Sequence, residues 1–151
     1  LNSLWVVTVI MWSIFSWWGL WELSIVLQDW HYSQYWFLMM NLSSIYFFTT
    51  LVLPKATDEG IIDLEAHYFS VHKAFFSIVA FSLFTTVAVN YSLFGKPMIS
   101  DMTIMPFIVG CAAVGAAFTE SRLYHKIIGV FMFVMFIAFQ LSDVVVISYT
   151  P

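Results

Sequence analysis

The sequence predicts an all-α polytopic transmembrane helix bundle, and three observations carry that prediction. Hydrophobic residues make up 62% of the 151-residue chain, charged residues only 9%, and the mean hydropathy is +0.90. Soluble domains carry about 25% charged residues, so this composition cannot clothe a globule in water. The apolar residues also fall into runs of transmembrane length, and the charges and Gly/Pro residues collect between those runs. Soluble enzymes, disordered regulators and disulfide-stapled secreted modules are thereby excluded. So is nucleic-acid binding: the formal charge is −4, with five basic residues and no basic patch.

A bilayer core about 30 Å thick needs roughly 20 apolar residues per helix. Five runs meet or approach that need: 4–27, 35–53, 74–94, 104–118 and 127–149. They are too long for the alternating ten-residue strands of a membrane barrel. The first begins almost at the first residue, Leu1, without the basic start or small-residue cleavage site of a signal peptide. A helix upstream of the given sequence is therefore expected. The fourth run is short and carries Pro106 near its start, so a thin span or an irregular beginning is expected there. All five runs form a single transmembrane domain, 1–151.

Orientation follows from the basic residues. Lys55 and Lys73 lie in the second connection, Arg122 and Lys126 in the fourth, and only Lys96 falls on the opposite side. That bias predicts cytoplasmic placement of connections 54–73 and 119–126. Within the second connection, Ile61, Leu64, Tyr68, Val71 and Phe75 keep three- or four-residue spacing. The expectation is an amphipathic segment, 61–73, that meets the membrane surface and runs into the third span.

Polar residues inside the runs are the first functional candidates. Glu22 and Asp143 are acidic residues within apolar stretches, where an ionised group is expensive. Together with Asn41 and Asn90 they fall at similar depth on four helices, in the outer half of the bundle. Gln140 lies one turn before Asp143, and Ser82, Thr86 and Asn90 form a stripe along the third span. Such a layer can bind helices together through hydrogen bonds, handle ions or protons, or receive a polar group from a partner. The first of these is the expectation.

The histidines give a second set. His72 and His125 each precede a lysine at the inner entrance of a span, at one depth on different helices, as bis-histidine haem ligation would require. Asp63 and His67, four apart, share a helix face and supply two metal donors, which alone do not make a site. No cofactor is expected from these residues, and haem is the alternative they leave open. Trp17, Trp18, Trp21, Trp30 and Trp36 fit an aromatic belt at the outer boundary and Trp5 one at the inner boundary. Trp12 lies deep.

Helix four is rich in small residues. Gly110, Cys111, Ala113, Gly115 and Ala117 include two pairs at four-residue spacing, Cys111–Gly115 and Ala113–Ala117, which permit close approach of another helix. That partner is either internal or a second chain. The lone Cys111 forms no disulfide framework.

The stretch Trp17-Trp18-Gly19-Leu20-Trp21, the later Trp30, the Leu53-Pro54 helix end and Asp63-Leu64-Glu65-Ala66-His67-Tyr68-Phe69 together resemble a group of small uncharacterised polytopic bacterial inner-membrane proteins. The resemblance covers residues 12–76. It implies a bacterial multi-pass architecture with an additional helix before the Trp-rich one, and it implies no activity. The function expected is that of a non-enzymatic accessory or scaffold subunit, with the lipid bilayer and other membrane subunits, or further copies of itself, as partners. The alternatives are a small ion or proton channel or transporter built on the polar layer, and a haem- or quinone-linked redox subunit.

Overall fold

The computed structural model describes residues 3–14, 31–53, 63–92 and 95–147. Among them it is all-helical: α1 (Ser3–Ile14), α2 (Tyr32–Val52), α3 (Leu64–Ser92), α4 (Asp101–Phe118) and α5 (Arg122–Ile147). Two of these, α2 and α3, are long and apolar enough to cross a membrane. Ser3–Ile14 and Thr103–Phe118 are shorter apolar stretches. The second half of the expected first span, with Glu22 and Trp17, Trp18 and Trp21, lies outside the described residues, as does Trp30.

The start of α3 has a local cause. Asp63 caps α3: its Oδ1 accepts from the backbone N–H groups of Glu65 (2.9 Å) and Ala66 (3.1 Å), satisfying donors that the first turn leaves open. From Leu64 the expected amphipathic segment is the first part of one continuous 29-residue helix, about 43 Å long, and so runs directly into the third apolar run. Its apolar stripe is corrected in part. Tyr68 and Phe75 are buried, whereas Leu64 is exposed, because the inward face is set by what packs there and includes His72. Helix α4 starts at Asp101, earlier than the apolar run, and continues through Pro106. As the sixth helical residue, Pro106 has no N–H to give to the residue 102 carbonyl, so the helix continues with one bond of its ladder missing.

Helix α3 is the centre of the bundle, flanked by α2 and α4. Gly110 admits the ring of Phe84, which comes within 2.9 Å of where a Cβ would stand. Ala113, Ala116 and Ala117 are buried, so this part of the small-residue face packs within the chain. The Cys111–Gly115 pair divides: Cys111 is exposed, and Gly115 lies beneath Tyr124, whose hydroxyl donates to the Ala112 carbonyl (3.0 Å). Helix α1 fits against α5 at Gly129, close to Leu4 and Trp5. Its Trp12 meets Phe48 of α2 at 5.3 Å between ring centroids.

Large apolar side chains also point outward on every helix. They include Val7 and Ile10, Tyr46 and Phe47, Phe81, Phe107 and Ile108, and Val130 and Val134. Water-soluble monomers rarely leave so much contiguous apolar surface uncovered.

Candidate functional site

The most elaborate polar arrangement among the described residues lies at the end of the bundle where α3 and α5 begin. Tyr68 and His72 stand one turn apart on α3, so they share a face. His125 sits in the first turn of α5, and Trp5 comes from α1. All four side chains are buried, His125 completely. The Tyr68 hydroxyl and His125 Nδ1 are 2.9 Å apart, and His125 Nε2 lies 2.8 Å from the Thr119 carbonyl. A carbonyl can only accept, so Nε2 carries the proton and Nδ1 accepts from Tyr68. In the neutral imidazole that burial favours, these partners assign one tautomer.

His72 has the opposite tautomer. Its Nδ1 donates to the Phe69 carbonyl (2.6 Å), which leaves the lone pair on Nε2. That nitrogen is buried without a hydrogen-bond partner. The two imidazoles meet edge to face, 5.5 Å between centroids. Phe69 and Phe76 close around His125 at 5.6 and 5.4 Å. The Trp5 indole N–H bears on the Tyr68 hydroxyl but falls short of a well-formed hydrogen bond. Burial pushes the His125 imidazole below its ordinary value. The Thr119 carbonyl acts in the opposite direction, and the neighbouring His72 adds a further downward push.

Two ion pairs bracket this cluster on the solvent side, Arg122 Nε to Glu65 Oε1 at 2.9 Å and Lys73 Nζ to Glu120 Oε1 at 3.9 Å. Each joins α3 to the α4–α5 region. Both are exposed, so each contributes little on its own.

The residues expected as metal or haem donors therefore have other occupations. Asp63 caps α3, and His67 donates from Nε2 to the Leu51 carbonyl at the end of α2 (3.1 Å). His72 and His125 are brought together, but both nitrogens of His125 are engaged, and the pair presents one open nitrogen, on His72. Among the described residues, no three His, Cys, Asp or Glu side chains converge. The inner-boundary role expected for Trp5 is also corrected: its ring is 1% exposed and packs at 5.5 and 5.0 Å against Phe75 and Phe76.

The expected polar layer is described only in part. Asn41 Nδ2 donates to Thr86 Oγ1 (2.8 Å), tying α2 to α3, and Thr86 in turn donates to the Ser82 carbonyl (3.0 Å). The Ser82 hydroxyl is buried. Asn90 is half-buried, and its carbonyl accepts from the Lys96 N–H (2.9 Å). Glu22 and the side chains of Gln140 and Asp143 lie outside the described residues.

Tyr68 and Trp5 are the members of the end cluster that reading the sequence for chemistry missed. The usable signal was Tyr68 one turn before His72, which puts a phenol and an imidazole on one helix face. The partner across the bundle is 57 residues away from Tyr68, and no local spacing reveals it. No family model, curated protein or solved structure matches the chain.

Proposed function

We propose that the chain is a five-span integral membrane protein that acts as a non-enzymatic accessory or scaffold subunit of a bacterial inner-membrane assembly. One observation carries this reading: among the described residues, the side-chain hydrogen bonds that leave their own helix cap a helix end or tie it to a neighbouring element. Asp63 caps α3, His67 reaches α2, His125 joins α3 to the α4–α5 turn, Tyr124 clasps α4, and Asn41 joins α3. A transport route needs polar groups along its length. On α3, His72 and Ser82 are roughly 15 Å apart along the axis, and Phe75, Phe76 and Val79 between them are buried and apolar. The outward apolar side chains then face lipid or a neighbouring subunit.

In this reading α3 is longer than the bilayer core is thick, so its first turns, with the histidine cluster, stand at the cytoplasmic boundary. The test has two parts. Single cysteines at Ser121 and Ser100, in a Cys111→Ser background, should label from the cytoplasm and the periplasm respectively. Labelling of position 121 from the periplasm overturns the topology. Native mass analysis after mild-detergent extraction should then find the chain in a larger membrane complex. A lone monomer that conducts ions or protons when reconstituted would replace the scaffold reading with the transporter one.

A further inference from the structure

We propose that the His72–His125 pair is an acid-sensitive latch, in which uptake of a proton by the pair releases the α4–α5 turn and the start of α5 from α3. The backbones of α3 and α5 make no close approach among the described residues. What joins them here is side chains: Tyr68 to His125, the rings of Phe69 and Phe76 against His125, and the Arg122–Glu65 pair outside. The joint is written for neutral imidazole. A proton on His125 Nδ1 would abolish its acceptor and force the Tyr68 hydroxyl to turn round. A proton on His72 Nε2 would place an uncompensated charge in a buried position, in edge contact with His125 and against the Phe69 ring. Buried charge without a partner is strongly unfavourable.

No carboxylate faces the pair among the described residues. The titratable or charged neighbours are Tyr68, His67, Glu65 and Lys73 on α3, Glu120 in the turn, and Arg122, Tyr124 and Lys126 on α5. The ions among Glu65, Lys73, Glu120 and Arg122 are exposed and paired with one another. Nothing is therefore placed to neutralise an imidazolium inside the cluster.

The direction of the pH response follows. In an open state His125 titrates near the ordinary imidazole value of about 6.5, and in the packed state burial holds it lower. Above that ordinary value both states are neutral and the latch contributes fully. As pH falls through it, the open state takes up a proton first, and the packed state loses ground until its own lower value is reached.

Spin labels at Ser70 on α3 and Leu123 on α5, both exposed, read the joint directly in lipid nanodiscs with Cys111→Ser. A single short distance at pH 7.5 should give way by pH 5.5 to a longer population, with the open-to-packed ratio rising by up to about tenfold over that range. A control pair at Ser43 and Ala88, both exposed on α2 and α3, should not move. His72→Leu should shift or flatten the transition, and His67→Gln should leave it intact. An unchanged 70–123 distance between pH 7.5 and 5.5 in the unsubstituted pair overturns the latch. So does equal movement of the control pair, or loss of the response in His67→Gln.

Discussion

At the end of the bundle where α3 and α5 begin, the buried Tyr68 hydroxyl and His125 imidazole satisfy each other between helices whose backbones stay apart. Four turns further along α3, Thr86 meets Asn41 of the adjacent α2, in a half-buried setting and with a second acceptor in reach. The first arrangement is exclusive. His125 has two partners, on α3 and in the α4–α5 turn, and aromatic rings close the site. The second is redundant, because Thr86 keeps its bond to the Ser82 carbonyl if Asn41 is lost. Between them lies a dry band of Phe48, Phe75, Phe76 and Val79, none more than 1% exposed. The contrast teaches that a buried hydrogen bond matters according to what each partner can do without it, more than according to its length, which is nearly the same in the two places.

The largest effect should come from removing the exclusive partner. His125→Phe keeps a ring in the cluster but strands the Tyr68 hydroxyl and the Thr119 carbonyl. Each buried group left unsatisfied costs about 1–3 kcal/mol. The thermal midpoint in a fixed detergent should drop clearly, and backbone amides of the α4–α5 turn should exchange faster than those at the centre of α3. A midpoint equal to that of the unsubstituted protein would remove the cluster's claim to hold the bundle end.

A smaller loss is expected one element away. Gly115→Ala puts a Cβ about 2.5 Å from the Tyr124 hydroxyl, so Tyr124 must leave the Ala112 carbonyl or α4 and α5 must part. Overpacking of this kind typically costs about 1–3 kcal/mol. Adding Tyr124→Phe removes the clashing oxygen and should recover part of the loss. No recovery would mean that the backbone, and not the hydroxyl, sets the limit.

How much of this was legible in the sequence depends on whether the cause was local. The apolar run 35–53 became α2 with little change, because its composition and length alone decide it. The start of α3 was legible as helical from its spacing, but its role was not. Charged residues around Tyr68 and His72 made the segment look like an interfacial lead-in, and lysines beside His72 and His125 gave the same impression. Their burial depends on Trp5, Phe69 and Phe76 closing around them. The small residues of α4 announced close packing, yet only the position of Phe84 and Tyr124 decides which of them face inward. Of the polar layer, the sequence placed Asn41 level with Asn90 by counting turns, whereas the structure sets it one turn lower, at Thr86. Thr86 is the member that meets it, because an amide reaching across from α2 needs an acceptor at that height and a threonine hydroxyl supplies one.

The smallest effect is expected at that redundant bond, and it completes the comparison. Asn41→Leu is close to isosteric and removes the amide without leaving Thr86 unpaired, since its hydroxyl still donates to Ser82. Interhelical hydrogen bonds in membrane proteins average about 0.6 kcal/mol, so the thermal midpoint should move slightly or not at all. A double substitution of Asn41→Leu with His125→Phe should show additive losses, because the dry band separates the two sites and they share no partner. A loss for Asn41→Leu as large as that for His125→Phe would mean that Asn41 satisfies more than Thr86. The two ends would then be stabilised alike, and the distinction between exclusive and redundant bonds would fail for this bundle.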